Sequence, residues 1–321
     1  MVHDLTYYAK IFAKLRVDKA RGTAPHKPIL LLAVLDLFEK GKFSRNEIYL
    51  SPELTANFLK FWHQFVSSDH HSNIALPFFH LTGDKFWHLM PNPGFEATIQ
   101  ARVKIRTLPA LRSAVKYAYL DDELFALLQN SQSRTELTTI LIQAWFPDQG
   151  SEIAESFKYD EFEAIQQSLF DSGGATYNVD DLKDADQIFV RNAAFRRNVV
   201  KLYDQRCAFC KMRVVSWDGL NIVDGAHIQP FSEFRNDRFT NGLALCKNHH
   251  WAFDHGWFGV DDDYRILIPW DRFIEGHLEK YKFSWEWLRD FSGFRLFRFA
   301  IWQLIEVPRR SGVRKPKNGE L

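Results

Sequence analysis

Cysteine is scarce in this chain, and every copy stands where a single metal ion could gather it. Cys207 and Cys210 are separated by two residues, and Cys246 and His249 repeat that gap. Two such knuckles, with 35 residues between them, can close a tetrahedral site of three thiolates and one imidazole around a structural zinc. Buried free thiols are the usual fate of lone cysteines, but the matched gaps and the histidine favour the metal. Three cysteines cannot build a disulfide framework, and metal-bound thiolates belong in a reducing compartment, so a cytoplasmic protein is expected. The N-terminus, Met1-Val2-His3-Asp4-Leu5, has no signal-peptide pattern. The longest apolar run, Ile29 to Leu35, is too short to span a bilayer, so no membrane partner is expected.

At 321 residues the chain is long enough for two domains. The net charge of +1 conceals an uneven distribution. From Asp148 to Asp186 there are 11 acidic and 2 basic residues, so the remainder is net basic. Basic clusters include Arg102, Lys104 and Arg106, then Arg191, Arg196, Arg197 and Lys201. Such spread charge suits a nucleic acid, although charge alone is more often solvated surface.

Apolar periodicity predicts a helix over about 5–18. A second should start at Pro28 and run to about Lys40, with apolar residues on all sides, as the central helix of the first core. A third should follow Ser51, which can cap it. Leu76 to Leu89 reads as a strand pair around Thr82-Gly83-Asp84. Helices are expected again between Pro109 and Phe146, and from Ala185 to Tyr203. The dense aromatics after Trp270 are expected to complete a core.

Between and beyond the knuckles lie Asp224-Gly225-Ala226-His227-Ile228-Gln229-Pro230, then Asn241, His249-His250 and Asp254. This pattern resembles the HNH endonuclease family over about residues 195–268. The resemblance implies a ββα-metal fold with a histidine on a hairpin and an Asn and a His around the following helix. It assigns His227 as general base, Asn241 as the residue that orients it, and His250 as a ligand of a catalytic divalent cation, Mg2+, Mn2+ or another. An imidazole titrates in the range such a base needs. His249 takes the zinc position beside Cys207, Cys210 and Cys246. Family members often place Asp or His directly before the base, where this chain has Ala226. Asp224, two residues earlier, is the expected substitute ligand, or else a turn residue before Gly225. Asp254, one helical turn after His250, is a further candidate ligand or capping group.

The segment Arg21-Gly22-Thr23-Ala24-Pro25-His26-Lys27-Pro28, followed by Ile29-Leu30-Leu31-Leu32, resembles the sulfur-binding domain of restriction endonucleases that attack phosphorothioate-modified DNA. The resemblance covers roughly residues 5–130. It implies that Arg21 and Lys27 supply charge to a backbone phosphate at a helix N-terminus. It implies an apolar cup for the sulfur, with Pro77 and Phe79 lining it and His26 and His80 at its rim. Without the downstream domain, two prolines there would equally read as a rigid helix entry.

The expected fold class is α+β. A mainly helical N-terminal DNA-binding domain with a small β element spans 1–148, and an acidic, partly ordered linker spans 149–185. A ββα-metal (HNH) endonuclease domain with a structural zinc spans 186–307, and a basic disordered tail 308–321. The expected function is a modification-dependent restriction endonuclease that binds double-stranded DNA carrying phosphorothioate linkages and cuts nearby by a one-metal mechanism. Two alternatives stand beside it: an HNH nuclease specific for a modified base such as methylcytosine, and a non-catalytic, zinc-stabilised DNA-binding regulator. A double-strand cut needs two active sites or two events, which a homodimer would supply.

Overall fold

The computed structural model describes residues 3–20, 22–101, 103–147, 157, 159–178, 181, 184–217, 219–261 and 264–269. Arg21, Arg102, the aromatic residues from Trp270 onward and the 308–321 tail lie outside them. Chain contacts divide the molecule into two units: Met1–Phe195 with Arg235–Asp237, and Arg196–Phe234 with Arg238–Leu321.

The first unit opens with α1 (Leu5–Phe12), capped by Asp4, whose carboxylate accepts from Tyr7 N–H at 2.9 Å. The helix is shorter than the 5–18 periodicity predicts. Beyond it, Arg16 N–H donates to Asp84 at 2.8 Å, a tertiary bond in place of a helical one. Helix α2 (His26–Glu39) begins two residues before Pro28. Its first hydrogen bond runs from Ile29 N–H to Pro25 C=O, 3.1 Å, and the N–H that Pro28 lacks would have no helical partner in the first turn. Every residue from Lys27 to Phe38 is buried, so α2 is the central helix of the core. Ser51 caps α3 (Pro52–Phe65), with its hydroxyl 3.2 Å from Leu54 N–H.

The strand pair expected over Leu76–Leu89 is not formed. The region is instead α4 (Ala75–His80), a short 3-10 turn over Leu81–Asp84, and β1 (Trp87–Pro91). Side chains hold the start of α4: Asn73 accepts from Ala75 N–H at 3.0 Å and Asp186 from Ile74 N–H at 2.7 Å. Trp87 then donates its indole N–H to Phe78 C=O at 2.9 Å, fixing the turn. After α5 (Glu96–Gln100) and α6 (Leu108–Ala114), the partner of β1 is β2 (Val115–Leu120), in a stretch expected to be helical throughout. They pair antiparallel from Trp87↔Leu120 to Met90↔Tyr117, shifting register at Pro91. Val115, Ala118 and Leu120 are buried, and Lys116 points to solvent.

Helices α7 (Asp122–Gln129) and α8 (Ser131–Trp145) follow. Within the acidic stretch lies α9 (Glu161–Asp171), which packs on α3 and buries Phe162. Inside this core Asp36 is fully buried, and its Oδ2 accepts from Lys40 (2.6 Å), Asn57 (2.6 Å) and Lys60 (3.0 Å). Helix α10 (Ala185–Leu202) contains the boundary at Phe195/Arg196.

The second unit is a ββα arrangement. Strands β3 (Val223–His227) and β4 (Gly242–Cys246) pair antiparallel from Val223↔Cys246 to His227↔Gly242. The short helix α11 (Phe231–Phe234) lies between them in sequence, and α12 (Lys247–Asp254) follows β4 directly. Gly225 is required here. A Cβ at this position would lie 2.7 Å from Arg196 Cα and 2.8 Å from its carbonyl oxygen, so only glycine lets β3 lie against α10. A two-stranded ladder, β5 (Gly259–Val260) with β6 (Ile266–Leu267), completes the described residues. Among these residues no helix is long and apolar enough to cross a membrane.

Candidate metal centre and nuclease site

The two knuckles meet because β4 delivers Cys246 to the start of α12, which turns His249 back toward Cys207. One donor atom from each of Cys207, Cys210, Cys246 and His249 lies within 4.8 Å of all the others. His249 Nδ1 is 3.0 Å from Cys246 Sγ and 3.7 Å from Cys207 Sγ, and Cys210 Sγ is 3.9 Å from Cys246 Sγ. A tetrahedral zinc with bonds of about 2.3 Å to sulfur and 2.0 Å to nitrogen would space its ligands by roughly 3.5–3.8 Å, so the donor set fits. The His249 ring stacks on Phe209, centroids 4.3 Å apart, which fixes its orientation. Burial lowers the His249 pKa and favours the neutral imidazole a cation requires. The same burial raises the Cys207 thiol, a tendency that a bound cation reverses.

His227 ends β3, half-buried, its ring centroid 5.5 Å from that of Phe231. Asn241 is buried and grips the two residues after it. Its side-chain oxygen accepts from Gln229 N–H at 2.8 Å, and its amide donates to Gln229 C=O at 3.1 Å. Its own carbonyl accepts from Ile228 N–H at 2.8 Å. These bonds hold the chain just beyond the histidine, where β3 ends.

Residues 249 and 250 are adjacent on α12, so about 100° of helical rotation separates their side chains. His249 enters the cysteine cluster, while His250 meets carboxylates. Its Nδ1 lies 3.7 Å from Asp224 and its Nε2 lies 3.6 Å from Asp254. These gaps exceed hydrogen-bond length. Two ligands of one hard cation with bonds of about 2.1 Å can stand this far apart. The carboxylates address different ring nitrogens, so as arranged only one of them can share a cation with His250. Asp224 is a strand residue, not a turn residue. It is also bound by Arg196 at 2.7 Å and approached by Lys247 at 3.7 Å. Neither cation was singled out for this site in the sequence. Arg196 stood only in a basic cluster, and nothing in the spacing tied it to a strand 28 residues away.

The sulfur-site residues of the first unit fall into two groups. Lys27, expected to face a phosphate, is buried. Its ammonium donates to Asp84 and to Arg16 C=O, both at 2.6 Å, so its charge is neutralised inside the fold. Pro77 and Phe79 are buried in α4. His26 and His80 remain at the surface. His26 Nε2 lies 3.0 Å from His71 C=O, and its ring is 4.6 Å from that of Trp62. The His70-His71 loop therefore braces His26. Burial, followed by the charges of Lys27, Lys104 and Arg106, lowers the His80 pKa. That places His80 in a basic neighbourhood on α4, which packs against α2.

Residues 207–261 match the HNH endonuclease model, and residues 8–161 match the ScoMcrA-like DNA sulfur-binding domain. No curated protein matches the chain. Among solved structures, the type IV phosphorothioation-dependent restriction endonuclease ScoMcrA is similar at 13% identity. That match covers 76% of this chain and 94% of ScoMcrA, with a TM-score of 0.35. The sulfur-binding domain of ScoMcrA complexed with phosphorothioated DNA is similar at 21% identity, over 47% of this chain and 94% of that one, TM-score 0.36. With TM-scores this low, the assignment rests on the two family models. The chain thus combines an HNH endonuclease segment with a ScoMcrA-like DNA sulfur-binding segment on its N-terminal side.

Proposed function

We propose that this endonuclease binds double-stranded DNA through a phosphorothioate linkage and hydrolyses a phosphodiester bond near it. The observation that carries the reading is the β3–β4–α12 arrangement. It sets His227 at a strand end clamped by Asn241, and His250 beside Asp224 and Asp254, in a chain whose other unit matches a sulfur-binding domain.

In this reading His227 accepts the proton of the attacking water, and Asn241 is a positioning residue. His250 holds a divalent cation, Mg2+ or Mn2+, together with Asp224 or Asp254. Such a cation, when bound, stabilises negative charge on the scissile phosphate and the leaving oxygen. Cys207, Cys210, Cys246 and His249 hold zinc and have no part in the chemistry. His26 and His80 face the DNA, while Pro77, Phe79 and Lys27 shape the wall behind them. The sulfur is larger and less hydrated than the oxygen it replaces, so a surface that strips water discriminates between them. Mark and cut are read by different units of the chain, so cleavage falls at an offset from the sulfur. Two copies acting together make the double-strand break. The protein works in the cytoplasm.

The test is cleavage of one duplex with and without a single phosphorothioate, in Mg2+ and in Mn2+. The wild-type chain cuts the marked duplex. His227→Ala loses roughly 100- to 10,000-fold in rate with unchanged affinity. Equal cutting of both duplexes, or preference for a methylcytosine duplex, sinks the sulfur reading. Tight binding with intact DNA in every metal sinks the nuclease reading.

A further inference from the structure

Between the first zinc knuckle and β3 the chain makes a hairpin that packs no apolar face of its own. Trp217, at its tip, is 98% exposed, and Leu220 is 71% exposed. Met212, Val214 and Val215 beneath them are also exposed. The hairpin is nonetheless well braced. Ser216 N–H donates to Leu220 C=O and Leu220 N–H to the Ser216 hydroxyl, each at 2.9 Å. Ile222 N–H donates to Val214 C=O at 3.2 Å, and Val215 bridges Asn221. Gly219, at φ +85°, closes the turn in a conformation that other residues rarely adopt. Both feet of the hairpin stand on the nuclease machinery. At one, Cys207 N–H donates to Met212 C=O at 2.9 Å. At the other, Asn221 accepts from Val223 N–H at 2.8 Å, four residues before His227.

A rigid turn that holds an indole in water keeps a large apolar surface unburied, which marks an interaction site. We propose that this tip is a DNA-stacking wedge for the cut site, with Trp217 lying against a base and Leu220 beside it. Charge selects DNA as the occupant: Lys211 and Arg213 are exposed on the arm that rises to Trp217, where they suit flanking phosphates. The hairpin joins β3 at Val223, the end opposite His227, so Trp217 would meet DNA flanking the cut rather than the scissile step itself. Stacking on a base face tolerates any sequence, as cutting at an offset from a mark requires.

The inference rests on the nuclease reading above, and the experiment separates the two. In the full-length chain, Trp217→p-benzoyl-phenylalanine is irradiated with marked and plain duplexes, calcium replacing magnesium. Crosslinks to bases flanking the cut are expected. Trp217→Ala should lower cleavage by roughly 5- to 150-fold, the worth of one stacked base. Trp217→Phe should restore most of it, with the preference for marked over plain DNA unchanged. Crosslinks to a second copy or to residues 270–321, no crosslink at all, or full cleavage by Trp217→Ala would overturn the wedge. If the wild-type chain shows no sulfur preference but position 217 still crosslinks to DNA, the substrate reading fails and the wedge stands.

Discussion

Lys27 and His250 begin from the same position: each is a charged or chargeable residue in a motif, and each is expected to act on DNA or on a metal. The fold treats them differently. Lys27 is 8% exposed, with both acceptors at 2.6 Å, so its charge is satisfied within the first unit. His250 has a carboxylate opposite each ring nitrogen at 3.6–3.7 Å and bonds to neither at that length. A satisfied buried ion pair is architecture. Groups held just out of hydrogen-bond reach around a half-buried imidazole are not satisfied by one another, the arrangement the proposed cation would complete. Exposure differs between the units as well: Asp36 is fully buried with Lys40, Asn57 and Lys60 on its Oδ2, whereas Asp224, bound by Arg196 at 2.7 Å, stays half-buried.

The largest effect that would break this comparison lies at the cysteine cluster. Chelation, or Cys246→Ser, should unfold the second unit, because a structural zinc supplies roughly 10–16 kcal/mol to small domains. Cleavage should vanish. Binding of a marked duplex should persist, since the first unit's core shares none of these ligands. Calorimetry should show one transition lost and one kept. Loss of both would mean that the two units do not hold their structure separately.

Next is Lys27. Lys27→Met leaves Asp84 buried without its cation, which costs about 3–5 kcal/mol. Lys27→Met with Asp84→Leu should recover most of that, because apolar pairs replace buried ion pairs at little cost. Urea titration of the two variants gives the comparison. If Lys27→Met instead keeps full stability and loses DNA affinity, the lysine faces the phosphate after all.

The third is smaller and concerns the two carboxylates around His250. Asp224→Ala should lower cleavage at least roughly 100-fold if Asp224 shares the cation, a loss of several kcal/mol. Raising Mn2+ should recover part of it, and Asp254→Ala should do less. The opposite ranking would assign the cation to the Nε2 side of His250.

These contrasts show what the sequence could convey. The gathering of Cys207, Cys210, Cys246 and His249 was legible because their matched two-residue gaps suit one tetrahedral cluster, and the placing of His227 at a strand end and His250 on the following helix because a ββα arrangement has that spacing. The central role of α2 followed from apolar residues on all its faces. By contrast, β1 and β2 depend on a pairing between residues about thirty apart, and Phe78 and Phe79 look alike in a strand or a short buried helix. The inward turn of Lys27 was hidden for a related reason. Its partner Asp84 lies 57 residues away, and a lysine in a basic loop carries no local sign that it will turn inward.

The smallest effect belongs to Asp186, which is buried at the second residue of α10 and accepts from Ile74 N–H at 2.7 Å. Burial raises its pKa to about 7, against the pull of that hydrogen bond and with help from Asp184. The folded chain then holds this proton where the unfolded chain, with an ordinary carboxylate, has released it. Stability falls as pH rises through the interval from about 4 to about 7, and the penalty is complete above the folded pKa. At about 1.4 kcal/mol per unit, the full displacement corresponds to roughly 4 kcal/mol. Asp186→Asn removes the charge and keeps an acceptor for Ile74. A neutral amide accepts that bond less strongly than a carboxylate, so a gain on the order of 2 kcal/mol is expected at pH 8. Little change is expected at pH 4, where the native carboxyl is already neutral. Urea unfolding of both chains at the two pH values measures the difference. An equal effect at both would show that folding leaves the Asp186 pKa undisplaced, and that burial at the start of α10 does not hold its proton.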